Sequence, residues 1–139
     1  MQTMLRPLKV RMSAVNNAHT QKLADGKELN FASDEAREAA FAGNAHPLVR
    51  THPMTGELAL FVDEVYAVGI EGMTQAESLP LLDFLCRHIT QHHYTVRLKW
   101  EPGMVAMWDN RGALHLAAND YDGFRREMYR TTMAGERPE

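Results

Sequence analysis

The chain lacks most features that mark a secreted, membrane-spanning or disulfide-built protein. A single cysteine, Cys86, in 139 residues excludes an internal disulfide and a cysteine-based zinc site. No uninterrupted apolar run exceeds five residues, as in Leu58 to Val62, so no segment has the length of a membrane span. The opening "MQTMLRPLKVRM" contains no apolar core of a secretory leader. No Lys/Arg block stands out, and 18 acidic against 15 basic residues leave a net charge of -3, which argues against phosphate-driven nucleic-acid binding. No internal repeat or low-complexity segment is visible. The expectation is a cytoplasmic soluble protein with neither nucleic acid nor membrane as a partner. What is present, 45% hydrophobic residues, suits one globular unit with a core.

Periodicity predicts the elements. Leu5, Leu8, Met12 and Val15 recur at three- and four-residue spacing and predict a helix over residues 4–24, with Pro7 in its first turn. "SDEAREAAFAGN" predicts a second, short helix capped by Ser33 and closed by Gly43-Asn44. From residue 47 the period becomes strand-like: "PLVRTH" and "ELALFVDE" flank the turn "PMTG", and "VYAVGI" continues as an extended segment. Leu81, Leu82, Leu85 and Ile89 form the stripe of a third helix near residues 74–90. Thr74 and Glu77 have capping-box spacing, but Pro80 conflicts with that start and moves the expected beginning to Ser78. "YTVRLKW" alternates cleanly, and "MVAMWD", "GALHLAA" and "RREMYRTTM" predict three more strands. The predicted class is α+β, mainly antiparallel β, with helices toward the N-terminus.

The stretch "WDNRGALHLAANDYDGFRREMYR" carries the chemistry. His115 sits between Leu114 and Leu116, which point to the opposite face of a strand. An antiparallel return through "NDYDG" brings residues near 126 opposite it, and period two puts Arg126 and Arg130 on one face. An imidazole suits a first-row metal, and an arginine fork suits a carboxylate. A hydrogen-bonded rim histidine beside a solvated, charge-protected edge fits the same spacing, so both readings stand at this point.

The neighbouring residues have plainer expectations. Trp108 is expected in the core, with Asp109, Asn110 and Arg111 as turn and bracing residues able to influence His115. His46 and His52 precede prolines and read as turn or surface residues. His88 and His92 have i, i+4 spacing but no zincin glutamate, and read as helix-end or solvent residues. Cys86, inside a helical apolar run, reads as a buried thiol.

"WDNRGALHLAANDYDGFRREMYRTTMAGERP", together with "HPLVRTHPMTGELALFV", resembles the C-terminal half of the TauD/TfdA family of Fe(II)- and 2-oxoglutarate-dependent dioxygenases. The resemblance runs from about residue 45 to the end and extends more weakly into the first helix. It implies the C-terminal part of a double-stranded β-helix, jelly-roll-like, over 45–139, with 1–44 as a helical insertion segment. It implies that His115 is the distal iron ligand, that Arg126 pairs with the far carboxylate of 2-oxoglutarate, and that Arg130 lies by the substrate anion. Tyr66 matches a pocket aromatic that is phenylalanine in taurine-hydroxylating members, and its added hydroxyl argues for another substrate. The implied reaction is hydroxylation of a small sulfonate or carboxylate with O₂.

The family's other half is not legible in this chain. No His-x-Asp or His-x-Glu occurs, because the residues two after each histidine are Gln21, Leu48, Met54, Thr90, Tyr94, Thr95 and Ala117. The expectation is therefore a truncated product, a fragment or one piece of a split protein, inactive alone. Its partner would be the missing N-terminal half or further copies of itself. The alternative from another class is a non-catalytic β-rich module that pairs its open edges with itself or a partner.

Overall fold

A computed structural model describes residues 1–17, 29–118 and 121–135. Helix α1 is short, Gln2–Leu5, and strand β1 follows at Lys9–Met12. Helix α2 is Asp34–Ala42; β2 is Asn44–Pro47, β3 Val49–Thr51, β4 Leu58–Leu60 and β5 Ala67–Ile70. Helix α3 is Gln75–Ile89, and a 3₁₀ turn covers His92–Tyr94.

The predicted first helix is corrected at its middle: residues 9–12 are a strand at the centre of a sheet ordered β2-β1-β5. Two periods compete in this stretch. The helical stripe omits Val10, whereas the alternation Leu8, Val10, Met12 includes it. Val10 is fully buried, antiparallel to His46 on one side and Ile70 on the other. Ladder bonds on both edges outweigh local helical spacing, and Pro7 helps end α1. The remainder of that predicted helix, from residue 18, lies outside the described residues. Because β1 pairs with strands after residue 44, the N-terminal segment is part of the same packed unit.

The second helix forms as predicted. Ser33 Oγ accepts the Ala36 N–H at 3.1 Å, and Asp34 and Glu35 occupy the first turn. Gly43 closes it with φ 69°, and a Cβ there would lie 2.1 Å from the Met12 carbonyl oxygen. Only glycine allows α2 to turn directly into β2 beside β1.

The predicted hairpin is also present, with Val49 opposite Leu60, Arg50 opposite Ala59 and Thr51 opposite Leu58. Helix α3 starts at Gln75 rather than Ser78. The Glu77 carboxylate accepts both the N–H and the hydroxyl of Thr74 at 2.8 Å, and Ser78 Oγ accepts the Ile70 N–H at 3.1 Å. These anchors, with Leu82 and Leu85 buried, offset the loss of one helical bond at Pro80.

Leu5, Val10, Leu48, Val62, Ala67, Ile70, Leu82 and Leu85 make the core between the two small sheets and α3. Each fully buried leucine or valine contributes about 1.5–3 kcal/mol. Arg50 is buried beside this core, its guanidinium carbon 4.7 Å from the Phe61 ring centre. Its Nε has no hydrogen-bond partner among the described residues.

The four strands predicted after residue 94 do not form among the described residues; the only turns there are isolated. The alternation is real, but its apolar face is not covered by a second sheet: Val96 is 94% exposed and Leu116 89%. A strand is stabilised by a neighbouring ladder and a covered face, not by its own pattern. The core formed by residues 5–85 is already closed without this arm.

Candidate functional site

The stretch that carries the candidate chemistry begins with a turn that closes on itself. The Asp109 carbonyl accepts the N–H groups of Gly112 and Ala113 at 3.2 and 3.0 Å. Asp109 Oδ1 accepts the Arg111 N–H at 2.9 Å. The Arg111 guanidinium folds back onto the same carboxylate, with Nε donating at 2.9 Å to Oδ1 and Nη2 at 2.7 Å to Oδ2. Trp108 Nε1–H donates to Asn110 Oδ1 at 2.9 Å. With its edge so held, the Trp108 ring meets the His115 ring at 4.8 Å between centroids and 50° between planes. "WDNR" is thus a compact brace, and the histidine that follows it returns to its first residue. Trp108 itself is 39% exposed and packs on His115, which corrects its expected place in the core.

The brace is tied to the hairpin. His52 Nε2 lies 3.2 Å from Asp109 Oδ2, although 57 residues separate them. His52 Nδ1 accepts the N–H groups of Met54 and Thr55, both at 3.3 Å. In the neutral ring the proton therefore sits on Nε2 and is donated to Asp109. The Asp109 carboxyl is held far below the usual carboxylate range, first by the Arg111 guanidinium and backbone bonds and in smaller part by His52. The sequence reading took His52 for a turn or surface residue. It does serve the turn, and its other nitrogen carries a long-range bond that no periodicity signals.

The residues expected to share one cavity are not in mutual contact here. His115 is exposed and touches Trp108. The Arg126 guanidinium lies 5.0 Å over the Tyr121 ring, on the other side of the "NDYDG" loop, of which residues 119–120 lie outside the described ones. Arg130 is exposed. Tyr66 is half-exposed at the start of β5, where its hydroxyl accepts from Asn17 Nδ2 at 3.1 Å. No hydrogen bond, ion pair or ring contact joins any two of these four. The strand pairing that would bring them to one face is not made by the described residues 112–118 and 121–130.

Among the described residues, no three His, Cys, Asp or Glu side chains converge as a metal-binding group. His115 is a lone imidazole. His88 stacks between Phe84 and Tyr94 at 6.4 and 5.2 Å, an aromatic contact at a helix end rather than a ligand geometry. An apolar cavity of about 340 Å³ opens between α1, the hairpin and α3, lined by Leu5, Val49, Leu60, Phe84 and His88. None of the four predicted residues lines it. No helix among the described residues is long and apolar enough to cross a membrane.

Comparison with known proteins supplies the context for this arm. The chain is 36% identical over 138 residues to the alpha-ketoglutarate-dependent sulfate ester dioxygenase of Pseudomonas putida, covering 96% of this chain and 46% of that protein. It is 32% identical over 135 residues to the alpha-ketoglutarate-dependent sulfonate dioxygenase of Saccharomyces cerevisiae, covering 96% of this chain and 32% of that one. A crystal structure of AAD-2 in complex with Mn(II) and N-oxalylglycine superposes with a TM-score of 0.56 at 25% identity, over 72% of this chain and 36% of that one. The chain therefore spans less than half the length of these relatives. Its described core is mixed helix and antiparallel sheet, as the predicted class requires. The family model for the taurine catabolism dioxygenase TauD, TfdA family, matches residues 5–132, and the chain belongs to that family.

Proposed function

We propose that this chain is the C-terminal portion of an Fe(II)/2-oxoglutarate-dependent dioxygenase that hydroxylates a small anionic substrate, a sulfonate, sulfate ester or carboxylate. The observation that carries this reading is the match over residues 5–132, which runs through the whole "WDNR…H…RR…R" signature. In this proposal His115 is a metal ligand, Arg126 binds 2-oxoglutarate, and Arg130 and Tyr66 meet the substrate. Residues 45–139 contribute to the C-terminal part of a double-stranded β-helix.

With iron and 2-oxoglutarate bound, the family chemistry consumes O₂, places one oxygen atom on the substrate, and releases succinate and CO₂. The described residues do not by themselves make a site for the metal, since His115 stands alone. No step of that chemistry is assigned to this chain acting by itself. What its own residues supply is one imidazole and two guanidiniums, which match a metal, a dicarboxylate and an anionic substrate. The remaining ligands must come from outside the chain, so we expect the isolated 139-residue chain to be inactive.

A second reading rests on the exposed apolar arm. Val96, Val105, Met107, Leu116 and Tyr129 are all at least 89% exposed, a surface that belongs against another sheet. A non-catalytic module that pairs this arm with a second copy fits that observation as well. Succinate formation from 2-oxoglutarate with Fe(II), ascorbate and candidate substrates separates the two. The enzyme reading expects no turnover by the chain alone. Turnover appears when the N-terminal half of a relative is supplied, and His115→Ala abolishes it. Turnover by the isolated chain, or none in any combination that folds, overturns it.

A further inference from the structure

We propose that His52, with Asp109 and Arg111, is a positioning latch that fixes where His115 leaves the folded core. Among the described residues, the His115 ring meets that of Trp108. Trp108 in turn belongs to the brace closed by Asp109 and Arg111. His52 and Asp109 bond that brace to the packed hairpin. The His52 side chain is 14% exposed and the Asp109 side chain 44%, so the bond is covered on the imidazole side and open to solvent on the carboxylate side.

Three features make this a device rather than a chance contact. The two turn amides orient the imidazole by occupying Nδ1, so Nε2 can only donate. Arg111 orients the acceptor by gripping both carboxylate oxygens, so Oδ2 stays toward His52. The Asp109 carbonyl meanwhile closes the turn that sends the chain toward His115. His52 is oriented by the turn amides, and Asp109 is oriented by Arg111. The functional meaning rests on the proposal that His115 is a metal ligand. The latch itself does not, and it is tested without metal.

The test uses amide hydrogen exchange and NMR of the full chain in variants that divide the two nitrogens of His52. His52→Asn retains an acceptor near the Nδ1 position but cannot reach Asp109. His52→Gln retains a donor near the Nε2 position but loses the turn acceptor. The latch predicts that His52→Asn speeds exchange at Gly112 and Ala113 by about tenfold, the worth of one hydrogen bond to a charged group. It also predicts that His115 ring resonances lose the shift caused by the Trp108 ring. His52→Gln should restore both, and Asp109→Asn, which leaves the hairpin untouched, should reproduce the loosening. A purely local role for His52 in the turn predicts the reverse order, with His52→Gln the more damaging. That order, or unchanged exchange in both His52→Asn and Asp109→Asn, overturns the latch. His115→Ala should leave exchange at Gly112 and Ala113 unchanged, so a failure of the metal reading is seen separately, in the succinate assay.

Discussion

Ser78 Oγ accepts the Ile70 backbone N–H at 3.1 Å, and both residues are buried. This bond joins helix α3 to the edge strand β5 and holds the helix start that Pro80 would otherwise disfavour. Ser78→Ala leaves a buried N–H without an acceptor and should cost about 1–3 kcal/mol. Urea unfolding followed by far-ultraviolet circular dichroism measures this. A change below about 0.5 kcal/mol would show that water or a shifted helix replaces the hydroxyl.

Arg50 should be dispensable for the stability of this chain. It is buried against Phe61 without a carboxylate partner among the described residues, so the stacking gain of about 0.5–2 kcal/mol opposes a desolvation cost of several. Arg50→Met is expected to leave stability unchanged or raise it. His46 offers an independent readout. Burial lowers its pKa first and the Arg50 charge second, so the substitution should move its NMR titration upward while leaving it below the usual value. A loss above about 2 kcal/mol on Arg50→Met would point to a counter-ion that the described residues do not contain.

Cys86 should be a slow nucleophile. Burial pushes its thiol up to about 11, with Asp63, Glu64 and Asp83 adding repulsion. From the ordinary value of 9.0 this is a hundredfold smaller thiolate fraction near neutrality. Alkylation by iodoacetamide at pH 8 should be about a hundredfold slower than that of an exposed model thiol, and fast only in denaturant. Equal rates in native and denatured chain would refute the burial.

Acid should loosen the Asp109 brace. The Asp109 carboxyl is depressed by its bonds to Arg111 and His52, so it binds protons less readily folded than unfolded. Its contribution is present above the ordinary carboxylate range and is lost as pH falls through the depressed folded value. Exchange at Gly112 and Ala113, corrected for intrinsic rate, should be fully protected above the ordinary carboxylate range, weaken progressively as pH falls through it, and lose the remainder only near the depressed folded value. Complete loss of protection at the ordinary aspartate midpoint would contradict the geometry described.

Local order was legible where neighbours in sequence enforce it. Ser33 and Gly43 bound α2, the "PMTG" turn marks its hairpin, and Leu82 and Leu85 face the core because caps, turns and stripes act within a few residues. The stretch 8–12 was not legible in that way. It satisfies two periods at once, and only His46 and Ile70, far away in the chain, decide for the strand. Pro80 misled for the opposite reason: a local cost was outweighed by a tertiary bond from Ser78.

The family was legible in the sequence by itself, because residue types at fixed spacing over residues 5–132 match the family model. The sequence also determined the alternation after residue 94, which is a property of side-chain order alone. Only the tertiary structure decided that His52 reaches Asp109, that Val10 lies at the centre of a sheet, and that the alternating arm pairs with no strand among the described residues. Pairing and burial are relations between distant segments, and a strand pattern becomes a strand only when another backbone supplies its ladder.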